Sequence, residues 1–150
     1  MAYDVTIVEL PAKRLVGLSE RVNMSEYGEK CPALWEKFIS RMSEVNDVAE
    51  EFFYGASVDM EEDGSLNYWV TAAVSPQAKI KIPAGMSELS VRAGKYATHV
   101  TSLESLGDAY TYLYGEWAKT RPVDFTSACF ERYAREWREG DPIELYVPLL

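Results

Sequence analysis

Residues 9–18, ELPAKRLVGL, and residues 90–99, SVRAGKYATH, carry the same layout. Each joins two extended segments through a tight turn. In the first, residues 5–10 and 14–19 flank Pro11 and Ala12; in the second, residues 89–91 and 95–101 flank Arg92, Ala93 and Gly94. Proline and glycine punctuate β-rich stretches in this way, so each reads as strand, turn and strand. Placing one over the other pairs Ala12 with Ala93, Arg14 with Lys95 and Leu15 with Tyr96.

The segments after the two hairpins are also alike. After the first, Leu34, Trp35, Phe38, Ile39, Met42 and Val45 recur every three or four residues, which predicts a helix, with Pro32 placed for its first turn. After the second, Leu103, Leu106, Tyr110, Leu113 and Trp117 keep the same period, while Asp108 and Glu116 face elsewhere. Both stripes read as faces that pack on a sheet. Two further strands succeed each helix: 52–60 and 66–74 across the acidic turn 61–65, then 127–136 and 143–149 across Gly140, Asp141 and Pro142. Residues 75–85, with Pro76 and Pro83, form an extended linker between the copies. The predicted fold is therefore α+β: one domain, 1–150, built from a hairpin, helix and two-strand unit written twice, roughly 3–75 and 86–149. Two such units related by a pseudo-two-fold axis leave a cleft at their junction, where ligand pockets tend to form.

Composition bounds what that cleft could serve. With 24 Asp and Glu against 15 Lys and Arg the net charge is −9, which opposes phosphate backbones and excludes direct DNA binding as the expected role. A mean of 47% hydrophobic and 26% charged residues is that of a globular domain. No run of about 18 apolar residues exists to span a membrane, and residues 1–10 lack the apolar stretch of a secretory leader, so the expected location is cytoplasmic. Cys31 and Cys129 are too few for a metal site or disulfide framework and read as reduced, packed thiols. His99, the sole histidine, reads as a strand residue with a structural hydrogen bond. Neither a metal nor a cofactor is expected.

Period-two alternation sorts the strands into faces. It separates Phe52, Tyr54, Ala56 and Val58 from Phe53, Gly55, Ser57 and Asp59, and Tyr68, Val70, Ala72 and Val74 from Asn67, Trp69, Thr71 and Ala73. Cys129, Glu131 and Tyr133 share a face. Glu131, in the middle of ACFERYA, has two readings: a solvated position paired with a base such as Arg132 or Arg135, or a carboxylate beside aromatic rings that needs a cation.

Eight segments, ELPAKRLVGL, LWEKF, FYGAS, NYWVTAAV, IPAGMSELSVRAGKYATHV, YLYGEWAKT, ACFERYA and DPIELYVPL, stand in the order of the GyrI-like small-molecule-binding domains, which the chain resembles from Tyr3 to Leu149. That family includes the effector-binding domains of AraC-type and MerR-type transcription regulators. The resemblance implies the duplicated α+β fold and a central pocket for lipophilic, often cationic aromatic compounds. Carried over by position, it makes Glu131 the acidic residue and Tyr54, Tyr68 and Trp35 the aromatic lining, with Tyr133 added because it shares Glu131's face. It also implies a stand-alone member, since the ligand-binding fold uses all 150 residues and leaves no helix-turn-helix. Two functions stay open: a binding protein with Glu131 as counter-charge, where cation–π contacts add about 0.5–2 kcal/mol each, and a hydrolase adding water to strained electrophiles with Glu131 as general base. Docking on a protein partner through the acidic surface stays open as well.

Overall fold

The computed structural model describes residues 3–150; Met1 and Ala2, which head the stretch read for a leader, lie outside the described residues. The chain forms β1 (Thr6–Leu10), β2 (Lys13–Val22), α1 (Tyr27–Arg41), β3 (Val48–Val58), β4 (Leu66–Val74), β5 (Ser87–Val91), β6 (Gly94–Thr101), α2 (Leu106–Tyr114), β7 (Cys129–Ala134) and β8 (Ile143–Pro148). The eight strands make one antiparallel sheet in the order β1-β6-β8-β7-β3-β4-β2-β5. That order reads the same from either end when each strand is exchanged for its counterpart in the other half. The ladders obey the same exchange: Leu15↔Ala73 in β2–β4 matches Tyr96↔Pro148 in β6–β8, and Gly55↔Val70 in β3–β4 matches Glu131↔Leu145 in β7–β8.

The pairing differs from two hairpins in one respect. β1 bonds to β6 and β5 bonds to β2, so the first strand of each half is contributed to the other. Two residues, Pro11 and Ala12, separate β1 from β2, and a two-residue turn closes a hairpin only in the primed conformations that favour Gly, Asn or Asp. Proline there sends the strands apart instead.

Alternation then divides the apolar residues between the two faces. On one face α1 packs through Leu34 and Phe38 over Val16, Phe53, Val70 and Ala72, while α2 packs through Ala109 and Leu113 over Ala97, Leu145 and Val147. On the other face Leu15, Tyr54, Ala73, Tyr96, Phe130 and Tyr146 form a second core. At about 25 cal/mol per Å² of apolar surface, each fully buried Leu or Phe stabilises the fold by roughly 1.5–3 kcal/mol. The Arg14 guanidinium ties down the linker by donating to the carbonyls of Ser75 and Ala78. His99 holds the Asp4 carbonyl through Nδ1 at 2.8 Å, and both cysteines are free. Among the described residues no helix is long and apolar enough to cross a membrane.

Candidate functional site

The middle pair of strands, β3 and β7, gives Phe53 and Tyr133 to the core under α1 and Ser57, Cys129 and Glu131 to the space beside it. Above this pair, between α1 and α2, opens a cavity of about 920 Å³ with mostly apolar walls. Both helices line it at the same spacing, with Gly28, Cys31 and Trp35 from α1 and Gly107, Tyr110 and Tyr114 from α2. The apolar stripes expected to lie flat on the sheet are therefore split. Leu34, Phe38 and Leu113 do face it, but Trp35, Ile39, Leu106 and Tyr110 turn to the cavity, Leu103 precedes α2, and Trp117 falls in a 3₁₀ turn beyond it.

At the cavity floor sits Glu131, 3% exposed. The cross-strand register places it opposite Gly55, next to Phe53↔Tyr133 and Ser57↔Cys129. Two phenols hold the carboxylate. Tyr110, from α2, donates to Oε2 at 2.6 Å, and Tyr133, two residues along β7, donates to Oε1 at 2.8 Å. Among the described residues no Lys or Arg forms an ion pair with it: Arg132 points to the opposite face, where it pairs with Glu144 and lies 4.2 Å from the centre of the Phe52 ring. Burial pushes the Glu131 carboxyl up from its ordinary range, and the two tyrosine hydrogen bonds offset only part of that. Burial likewise raises Tyr68 and Tyr110 far above the usual phenol range, so they stay protonated, and pushes the Cys31 and Cys129 thiols up to about 11. Protonated thiols are weak nucleophiles and poor metal ligands.

The aromatic wall draws on several elements, with Trp35 from α1, Tyr68 from β4, Tyr110 and Tyr114 from α2 and Tyr133 from β7. Trp35 meets Tyr133 edge to face at 4.7 Å and donates its indole N–H to the Tyr68 hydroxyl at 2.9 Å. Tyr133 also meets Trp137 at 5.5 Å. Glu131, Trp35, Tyr68 and Tyr133 are thus brought together, all lining the cavity. Tyr54 is not. It is fully buried in the core on the other face, where its hydroxyl donates to Glu50 at 2.5 Å and its ring lies 5.7 Å from Phe130. The register is the reason: Tyr68 lies opposite Ser57 and Tyr54 opposite Thr71, so the two tyrosines belong to opposite faces, and Phe53 and Ser57 line the cavity in Tyr54's place.

Tyr110 is the site residue that the sequence pattern does not single out. A signal for it exists, because Tyr110 and Tyr114 stand at the positions on α2 that Cys31 and Trp35 occupy on α1, and Trp35 is a wall residue.

Comparison with curated proteins finds no match. Among solved structures, the protein SAV2435, bound to tetraphenylphosphonium, superposes with a TM-score of 0.71 at 16% identity, over 100% of this chain and 94% of that one. The C-terminal domain of EcmrR gives 0.66 at 18%, over 100% and 99%. A hydrolase from Listeria innocua gives 0.57 at 9%, over 99% and 92%. At these identities the likeness is one of fold. The model of the GyrI-like small molecule binding domain matches residues 3–150, and the chain belongs to that family.

Proposed function

We propose that the protein binds lipophilic, cationic aromatic small molecules in the cavity, with Glu131 as counter-charge and Trp35, Tyr68, Tyr133 and Tyr110 as the surfaces around it. The observation that carries this reading is a nearly fully buried carboxylate held by two phenols and by no base among the described residues. A buried charge left unpaired is costly, and a bound cation removes that cost. Flat ring faces attract a delocalised cation and demand no fixed pattern of hydrogen bonds, so ligands of different shape can share the site. EcmrR, solved in complex with DNA, carries a C-terminal domain of this fold, which supports a sensing or sequestering role; this chain acts as the ligand-binding unit, in one domain with the repeat at 3–75 and 86–149.

Titration calorimetry with tetraphenylphosphonium tests the reading. Binding in the micromolar range is expected, and Glu131→Gln, which keeps the shape and removes the charge, weakens it by about tenfold or more. Equal affinity in the variant would remove the counter-charge role.

A second reading is favoured by the raised basicity of Glu131: a carboxylate destabilised by burial is a better general base at neutral pH. Turnover of an electrophilic cyclopropane to a product one water heavier, abolished in Glu131→Gln, is its signature. No turnover above that control leaves binding as the function.

A further inference from the structure

Gly55 lies in the interior of β3, where glycine weakens a strand and has no side chain to pack. Its backbone does not require it, because Gly55 is absent from the residues with positive φ. What requires it is close approach. A Cβ built there would stand 2.7 Å from the Tyr68 hydroxyl, 3.4 Å from Glu131 Oε1 and 3.4 Å from Trp35 Cζ2. All three neighbours are tips of site side chains, unlike those of Gly17, whose Cβ would meet the backbone of Val70 at 1.9 Å. The two-fold correspondence of the ladders makes Gly55 the counterpart of Glu131, and the two pair with each other, so the axis runs between them.

We propose that Gly55 is a positioning residue of the binding site: its bare backbone is the seat on which the Tyr68 hydroxyl, the Trp35 edge and the Glu131 carboxylate converge. Tyr68 is buried at 7% exposure, with its ring fixed on β4, so its hydroxyl cannot yield to a methyl group without leaving the Trp35 indole N–H. Gly55→Ala then opens the Trp35–Tyr68 bond and pushes the wall away from Glu131. Removing the obstructing hydroxyl makes room again, so Tyr68→Phe rescues Gly55→Ala. A glycine serving the strand alone would show no such dependence on residue 68.

Two measurements on the full chain test this. In the ¹H–¹⁵N spectrum of the ligand-free protein, the Trp35 indole cross-peak, identified by its loss in Trp35→Phe, moves in Gly55→Ala to where it lies in Tyr68→Phe. Tetraphenylphosphonium affinity, an arm that rests on the proposed function, falls about tenfold in Gly55→Ala and returns in Gly55→Ala/Tyr68→Phe to within about threefold of Tyr68→Phe alone. If Gly55→Ala fails to fold, the double variant, which lacks the clash, folds. An unmoved cross-peak in folded Gly55→Ala, a double variant that falls below Tyr68→Phe by the same factor as Gly55→Ala falls below the wild type, or failure of both variants to fold overturns the assignment. If the wild type does not bind the phosphonium, the cation reading fails and the cross-peak still decides the role of Gly55.

Discussion

With Glu131 as the proposed counter-charge, ligand binding is expected to depend on pH, and the sign follows from burial. Its carboxyl is raised because the cavity floor disfavours the charged form, while a cation requires that form. Affinity for tetraphenylphosphonium should therefore rise with pH, with a midpoint above the ordinary carboxylate value of about 4.3, and level off once Glu131 is ionised. Stability of the ligand-free protein runs the other way. The raised group contributes most below its unfolded pKa, and that contribution is lost as pH rises through the folded one. The facing groups leave this window clear: burial pushes Cys31 and Cys129 to about 11, and holds Tyr68 and Tyr110 well above the usual phenol range. Calorimetry between pH 4 and 8 should show the rise in the wild type and a flat profile in Glu131→Gln; a flat wild-type profile would place the charge elsewhere. Glu131 is legible in the sequence because an acid amid ACFERYA must be either paired or functional. The expected place of Tyr54 in the pocket is wrong because alternation separates two faces of one strand without relating them to the faces of the next, which takes the register.

The helices show a similar division between what a pattern contains and what it omits. Period alone locates both, but α1 begins at Tyr27, so Pro32 lies well inside it and not in its first turn. A proline there removes the bond to the Gly28 carbonyl and crowds the preceding turn. Gly28 adds to that cost, since a Cβ at this position would meet nothing within 4 Å. Pro32→Ala should restore the missing bond and stabilise the protein by about 1–3 kcal/mol, which raises the unfolding midpoint by ~2–4 °C per kcal/mol in a chain of this size. A lowered midpoint in thermal unfolding would mean that the Pro32 ring is part of how α1 seats on β2 and β4. The proline is a misleading start signal here because Asn23 and Glu26 already cap the 3₁₀ turn Met24–Glu26 that leads into α1. That capping box is in the sequence, more than two turns ahead of the apolar stripe that opens at Leu34.

In the assembled molecule, the exchange of β1 and β5 interlocks the halves. The repeat is readable from residues 9–18 and 90–99, but the exchange is not, because each strand carries the same alternation whichever neighbour it bonds. Each half keeps only its inner ladders, β2–β4–β3 or β6–β8–β7: residues 3–75 lack the β6 partner of β1 and the β7 partner of β3, and residues 86–149 lack the β2 partner of β5. The cavity is divided in the same way, with Trp35 and Tyr68 from one half and Tyr110, Glu131 and Tyr133 from the other. Each half alone exposes unpaired strand edges and half a core, which is an aggregation hazard and not a stable monomer. Expressed separately, the two segments should give no cooperative thermal transition by circular dichroism. Mixed in equal amounts they should regain the β signal, one transition and phosphonium binding together, because the same β3–β7 contact that closes the sheet brings Glu131 under Trp35 and Tyr68. A half that folds alone as a monomer would mean that β1 or β5 can fold back on its own unit, and the swapped pairing would then be a preference of the joined chain and not a requirement of the fold.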